Sequence, residues 1–249
     1  MSEQTDLGRL RADRIFDGGD LDCGSGLVLL IREHMLEVPD DGILEMRSRE
    51  PSVGSDLPPW CRMVGHEYLG ALPTDEATVR YFVRKNGAAA AAEAEALAQD
   101  KQKAAAYEWR LRVRSTGHLQ STVYCRNFSF TAGQPASFEE KDAHPSAVEL
   151  LLGSLGGALV TGFATECTRS GLEVDDIELT VKGRLGNPLA HLGLGEGDPG
   201  LVGIEVRCFA STLADETAVR AAWGKALARS PVAVTLSRAT SISAKLVIL

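Results

Sequence analysis

The stretch "FDGGDLDCGSGLVLLIR", residues 16–32, places one cysteine between a strand-like opening and an apolar helical run. The small residues Gly24, Ser25 and Gly26 directly follow Cys23. This order predicts a strand, a tight turn and then a helix over residues 27–36, which is how an α/β unit begins. Cys23 is therefore predicted at the first turn of that helix.

Two interpretations of Cys23 stay open on the residues alone. At a helix start, free backbone N–H groups and the positive end of the dipole favour a thiolate and lower a cysteine pKa from about 8.5. The three small residues that follow Cys23 would expose backbone amides and one hydroxyl to the sulfur. The carboxylates of Asp20 and Asp22 would disfavour a negative charge on that sulfur. In the alternative, Cys23 is a small buried residue, since free cysteine is among the most buried residue types.

The composition indicates a soluble globular protein of one large domain or two ordinary ones. The 249 residues are 44% hydrophobic and 24% charged, within the usual range for such proteins. A formal net charge of -8 argues against a large basic surface, and we expect no nucleic-acid or membrane partner.

The N-terminus shows no secretory signal, which favours a cytoplasmic protein. The most apolar segment, residues 150–164, is shorter than the roughly 18 residues that span a bilayer, and we expect a buried helix there.

The five cysteines and five histidines suggest neither disulfides nor a metal site. They are widely scattered, with no CxxC pair and no zinc-like spacing, so we expect reduced thiols, no metal and no cofactor. Besides Cys23, the cysteines are interpreted as structural; they are Cys61, Cys125, Cys167 and Cys208.

The first half of the chain alternates strand, helix, strand, helix, strand, strand, which predicts a small two-layer α/β sandwich. Within it, Pro58 and Pro59 indicate that the second helix is short or begins after them, because an interior proline removes a backbone donor.

The alanine-rich residues 87–106 come next and favour a solvated linker helix. A helix packed closely by its alanines is the alternative. The predicted divisions are residues 1–86, 87–106 and 107–249.

The second half predicts an α+β domain around a long central helix. Trp109, Leu111 and Val113 alternate with arginines, which indicates a strand with one buried and one solvent-exposed face. Two more strands begin near Ile177 and Val202, and the long helix between residues 145 and 171 precedes them. Near the end, Ser230 is placed to cap a short helix that begins with a proline.

Residues 13–85 resemble the TusA-like (SirA-like) sulfur-carrier family. "FDGGDLDCGSGL" aligns with that family's strand, turn and reactive cysteine, and "EPSVGSDLPPWCRMVGHEYL" is similar to its Asp-x-Pro-x-aromatic-Cys segment. The family motif is Cys-Pro-x-Pro, whereas Cys23 is followed here by glycine, serine and glycine. The resemblance implies a sulfur carrier whose turn has lost both prolines.

Residues 107–249 resemble the OsmC-like family through "HPSAVELLLGSLGGAL" and "RSPVAVTL". Members that reduce peroxides carry two cysteines, and the matching positions here are Ala158 and Ser230. Neither side chain can form a sulfenic acid, so peroxidase activity is not expected. Cys167 cannot replace Ala158, because nine helical steps of about 100° place it on the opposite side of the helix.

The two resemblances together predict a cytoplasmic sulfur-relay protein. Cys23 would accept a persulfide sulfur from a donor protein and pass it to an acceptor, with Gly24, Ser25 and Gly26 supporting the anion. The OsmC-like domain would form a homodimer. The alternative is a non-catalytic protein that holds a small molecule near Ala158 and Ser230; a thiol peroxidase is a third and weaker hypothesis.

Overall fold

The computed structural model describes residues 7–23, 26–74, 78–133, 144–239 and 241–248. The chain divides into two compact units, Met1–Tyr107 and Glu108–Leu249. The alanine-rich helix is thus part of the first unit.

The first unit is a four-stranded sheet with two helices packed on it. Its elements are β1 (Arg14–Gly19), α1 (Leu27–Glu37), β2 (Ile43–Ser48), α2 (Val53–Val64), β3 (Glu67–Pro73), β4 (Val79–Arg84) and α3 (Ala90–Ala105). The strand order is β1-β2-β4-β3, with β1 parallel to β2 and the other pairs antiparallel. Apolar residues from α1, α2 and the central strands form its core, which confirms the predicted βαβαββ sandwich; they include Leu27, Ile31, Met35, Leu44, Met46, Leu57 and Trp60.

Helix α2 corrects the expectation drawn from the two prolines. It starts at Val53 and contains both Pro58 and Pro59. The prolines leave the carbonyls of Gly54 and Ser55 without their helical N–H partners, and both residues are exposed, so water can bind these oxygens. Burial of one apolar stripe holds the helix together despite the lost bonds; it comprises Val53, Leu57, Trp60 and Cys61.

Helix α3 is docked onto α1 along one edge. Leu97 is buried, Asp100 is paired with Arg32, and Lys101 lies 2.7 Å from Glu33. The expectation of a solvated linker helix was therefore wrong along this edge. Among the side chains that the structure describes, one leucine and two ion pairs make the contact.

The second unit has two three-stranded sheets and four helices among its described residues. The elements are β5 (Leu111–Gly117), β6 (Gln120–Cys125), β7 (Phe128–Ala132), α4 (Ala147–Arg169), β8 (Asp176–Leu185), α5 (Pro188–His191), β9 (Leu201–Ser211), α6 (Glu216–Arg229), α7 (Pro231–Ala239) and β10 (Ile242–Ile248). The sheets have the orders β5-β6-β7 and β10-β9-β8. Apolar side chains of α4, α6 and β9 form one core, which includes Leu155, Leu159, Phe163, Val206, Val219 and Trp223.

The sheet β5-β6-β7 has an apolar face that the described residues of the second unit leave exposed. The register pairs Leu111 with Cys125 and Val113 with Val123, and it pairs Cys125 with Phe128 and Val123 with Phe130. All of these side chains therefore share one face of the sheet. The predicted alternation is present, but the face predicted to be buried is exposed, with Val113 at 60%.

Helix α4 lies within the predicted range of residues 145–171 and is less buried than predicted. Ser146 and Glu149 form a capping box at its start, and Gly171 comes after its end with a left-handed φ of 64°. Helix α4 has 23 residues and contains the apolar segment 150–164, in which only Leu155, Leu159 and Phe163 are buried, so the expectation of a buried helix was correct for one face only. Among the described helices it is the one with the length and hydropathy of a membrane span, a property that core helices share.

Candidate functional site

Cys23 lies in the turn between β1 and α1 and is half-buried. Helix α1 starts at Leu27, with Gly26 as its N-cap residue, so Cys23 precedes the helix instead of occupying its first turn as predicted. The backbone N–H of Leu27 donates to the Asp22 carbonyl at 3.4 Å, which closes the turn around the cysteine. Gly24 and Ser25, predicted to support the sulfur, lie outside the described residues.

Gly26 adopts a conformation that proline cannot take. Its φ is 99°, in the left-handed region, whereas the proline ring fixes φ near -65°. The second proline of the sulfur-carrier motif would stand at this position. At position 26 the backbone thus has a conformation that the Cys-Pro-x-Pro motif does not permit.

The electrostatic surroundings of Cys23 favour the protonated thiol. Partial burial raises the pKa of Cys23 most, and the carboxylates of Asp56 and Asp22 raise that pKa further. The predicted lowering of the pKa was therefore wrong, because partial burial and the nearby carboxylates, Asp56 of α2 first among them, disfavour the thiolate. Asp20, also expected to oppose the thiolate, instead pairs with Arg49 at 3.3 Å.

Of the remaining cysteines, Cys61, Cys167 and Cys208 are buried and Cys125 is half-buried. Burial raises the pKa of Cys167 to about 11 and that of Cys208 to about 12. A buried, protonated thiol is a poor nucleophile. Cys23 is therefore the thiol best placed for transfer chemistry in the first unit.

The structure brings Ala158 and Ser230 together at one cavity in the second unit. This cavity has a volume of about 330 Å³ and lies where α4 meets the end of α6 and the start of α7. The Ser230 hydroxyl caps α7 as predicted, accepting a hydrogen bond from the Ala233 amide at 3.2 Å. Cys167 lies in the core, away from this cavity. None of the described residues that line the cavity carries a thiol.

Three charged residues at this cavity were not singled out from the sequence. Glu166 is 5% exposed, and its Oε1 accepts a hydrogen bond from Arg229 at 2.6 Å and one from Arg169 at 3.4 Å. The spacing of Glu166 and Arg169 on one helix could have suggested that pair. The pair with Arg229 joins residues 63 positions apart, and only the fold reveals it.

The described residues contain no group of three or more histidine, cysteine or acidic side chains that could hold a metal ion.

Comparisons with known proteins divide between the two halves of the chain. Residues 139–245 match the family model described as "OsmC-like protein". The N-terminal region is 32% identical over 76 residues to the sulfur carrier protein TusA of Pseudomonas syringae pv. tomato, covering 30% of this chain and 88% of that relative. The corresponding protein of Pseudomonas entomophila is 32% identical over 73 residues, covering 29% of this chain and 89% of the relative.

The solved structures give the fold of the second unit. The crystal structure of an OsmC-like protein from Mycoplasma pneumoniae superimposes with a TM-score of 0.50 at 15% sequence identity. It covers 58% of this chain and 99% of that one. The predicted two-domain α+β arrangement is thereby confirmed.

Proposed function

The chain belongs to the TusA sulfur-carrier family and carries an OsmC-like domain at its C-terminal end, and from this premise we propose that it relays sulfur through Cys23. The observation that carries the proposal is the half-buried thiol of Cys23, in the turn of a sheet-and-helix unit related to proteins named sulfur carriers. A solvent-reachable sulfur is what an exchange with a second protein requires. Cytoplasmic location is part of the proposal, because reduced cysteines suit that compartment.

The transfer step balances without a metal or an external oxidant. The Cys23 thiolate attacks the outer sulfur of a donor persulfide, a new S–S bond forms, and the donor's own S–S bond breaks. The donor leaves as a thiolate and takes up the proton that Cys23 lost. An acceptor then attacks the outer sulfur of the Cys23 persulfide, and Cys23 is released as a thiolate.

A mass measurement tests this proposal directly. The full chain is incubated with a cysteine desulfurase and cysteine, and it should gain the mass of one sulfur. Cys23→Ser should abolish the gain, whereas Cys125→Ser, which removes the other half-buried thiol, should retain it. If the unaltered chain stays unmodified while a TusA protein in the same mixture is loaded, the relay proposal fails.

A homodimer through the second unit is the second part of this proposal. The exposed apolar face of sheet β5-β6-β7 supports it, because monomeric proteins rarely leave a contiguous apolar face in water. Leu111, Val113, Phe128 and Phe130 are each between 43% and 60% exposed. A second copy of the chain could cover this face with its own equivalent surface.

Small-molecule binding in the second unit is a candidate function of a different class. The cavity at Ala158 and Ser230 favours it, since its volume of about 330 Å³ is within the range of ligand sites. The described residues of its wall include no reactive thiol, so the binding would be non-catalytic. This function does not compete with sulfur relay, because the two sites are on different units.

A further inference from the structure

We infer that the cavity bounded by α4, α6 and α7 selects a small monoanion with a short apolar body. This inference rests on the proposal that the cavity binds a small molecule and adds the chemical class of that molecule. It depends on the charges, the hydrogen-bond donors and the walls of the cavity.

The charged groups at the cavity sum to one positive charge. Arg169 and Arg229 contribute two positive charges and Glu166 contributes one negative charge. Each arginine is in the last turn of its helix, where the partial negative charge of the free carbonyls favours a cation. In a chain whose net charge is -8, this positive spot favours an anion over a cation.

The two guanidinium groups keep most of their donors available. A guanidinium has five N–H donors, and within the described residues Arg229 and Arg169 each donate through Nη1 to the same oxygen of Glu166. Glu166, almost fully buried, fixes both groups beside the cavity. The remaining N–H groups can donate to a carboxylate or to another anionic head group.

Ser230 adds a neutral donor on the same wall. Its side chain is in a residue only 5% exposed, and its oxygen accepts the Ala233 amide. The hydroxyl proton is thus directed away from that amide and can be donated to a ligand. An anion that accepts from Ser230 and Arg229, which are adjacent in the chain, would be held at two points.

The rest of the wall consists of small residues and limits the body that the head group can carry. Its two threonines, Thr161 and Thr165, donate their hydroxyls to carbonyls of α4. Ala158, Gly162, Ala226 and Pro231 contribute no hydrogen-bonding side chain. A short aliphatic body would bury apolar surface against them. The volume of about 330 Å³ suits a compact ligand rather than a nucleotide or a peptide.

A probe series of equal chain length tests the inference with the full protein. Hexanoate, hexan-1-ol and hexylamine are titrated near neutral pH and low salt, and their dissociation constants are measured by ligand-observed NMR. Hexanoate should bind about tenfold more tightly than hexan-1-ol, because a hydrogen bond to a charged group contributes about that factor. Hexylamine should bind most weakly.

Two arginine variants locate the effect. Arg229→Gln should remove the preference for hexanoate over hexan-1-ol. Arg220→Gln is the matched control, since Arg220 is on the same helix, pairs with Glu216 at 2.5 Å and is not among the residues of the cavity wall; it should preserve the preference. Far-ultraviolet circular dichroism checks that both variants remain folded.

The outcomes separate this inference from the proposal beneath it. If hexan-1-ol binds as tightly as hexanoate, the cavity binds small molecules but the anion inference is wrong. If Arg220→Gln weakens hexanoate binding as much as Arg229→Gln does, the attraction is general surface charge and the inference is also wrong. If no probe binds, both this inference and the small-molecule proposal fail.

Discussion

Gly26 gives the backbone a left-handed conformation at the N-cap of α1. A residue with a side chain has a steric penalty at this φ of 99°, although among the described residues no atom beyond the chain neighbours lies within 4 Å of the place where a Cβ would be. The cost of substitution would therefore come from the backbone and not from crowding. The sequence could show that the motif's proline is a glycine here, but the left-handed φ depends on how the turn meets α1.

The charge around Cys23 is likewise a property of the folded unit. Asp22 is its neighbour in sequence, whereas Asp56 comes from α2, and both raise the pKa of the thiol after burial does. From the sequence, Asp20 and Asp22 were the expected opponents of a thiolate. Arg49, which comes just after β2, pairs with Asp20. No local sequence pattern could have indicated that Asp56, and not Asp20, acts on the thiol together with Asp22.

Asp56→Asn is predicted to make Cys23 more reactive near neutral pH. Removing this carboxylate lowers the pKa of the thiol and raises the thiolate fraction, while the more acidic thiolate is a weaker nucleophile. The net result should be an alkylation rate about twice that of the unaltered chain. In a pH series followed by intact-mass analysis, the midpoint of the rate should move to lower pH.

Asp20→Asn is the matched control for that experiment, because it removes the same charge close by in the chain from a carboxylate that is already paired with Arg49. Its alkylation rate should remain near that of the unaltered chain. An Asp56→Asn rate equal to or below the unaltered one would show that Asp56 does not act on Cys23.

At the scale of elements, local patterns predicted where most helices and strands occur. The apolar stripe that starts at Val53 was strong enough to keep α2 helical through Pro58 and Pro59, so packing outweighed the rule that interior prolines break a helix. The left-handed Gly171 just after α4 and the cap of α7 by Ser230 agreed with their expected local chemistry. The local patterns could not predict which element each helix face packs against.

Helix α3 gives a test of such a partnership. Leu97→Ala should detach the helix from α1, because burial of a leucine side chain contributes about 1.5–3 kcal/mol. Hydrogen–deuterium exchange of the full chain should then be about tenfold faster or more across residues 95–105, while the amides of β2 stay protected.

Gln99→Ala supplies the comparison for α3. Gln99 is exposed on the same helix and makes a 3.3 Å hydrogen bond to Glu95, so its loss should leave exchange nearly unchanged. Unaltered exchange in Leu97→Ala, or equal acceleration in Gln99→Ala, would contradict the docking that the structure describes.

At the scale of the whole molecule, the sequence predicted two units of known architecture but not how their surfaces are used. The pattern of Leu111 and Val113 correctly identified an apolar face, yet the part of the chain that the structure describes does not bury that face. The pairing of Glu166 with Arg229 is a similar case, since it depends on α4 and α6 packing together. Alternation and spacing describe one element at a time, and function at both sites depends on contacts between elements.

The uncovered face of sheet β5-β6-β7 leads to a prediction about the assembly. With a chain mass of 26.6 kDa, sedimentation equilibrium should give twice that value, 2 × 26.6 = 53.2 kDa. Val113→Glu should shift the equilibrium toward the monomer, because a dimer would then bury two unpaired carboxylates. Leu213→Glu, which places the same charge at a fully exposed leucine outside this sheet, should remain dimeric. A monomeric unaltered chain at micromolar concentration, or equal dissociation by both variants, would show that this face is not where two copies meet.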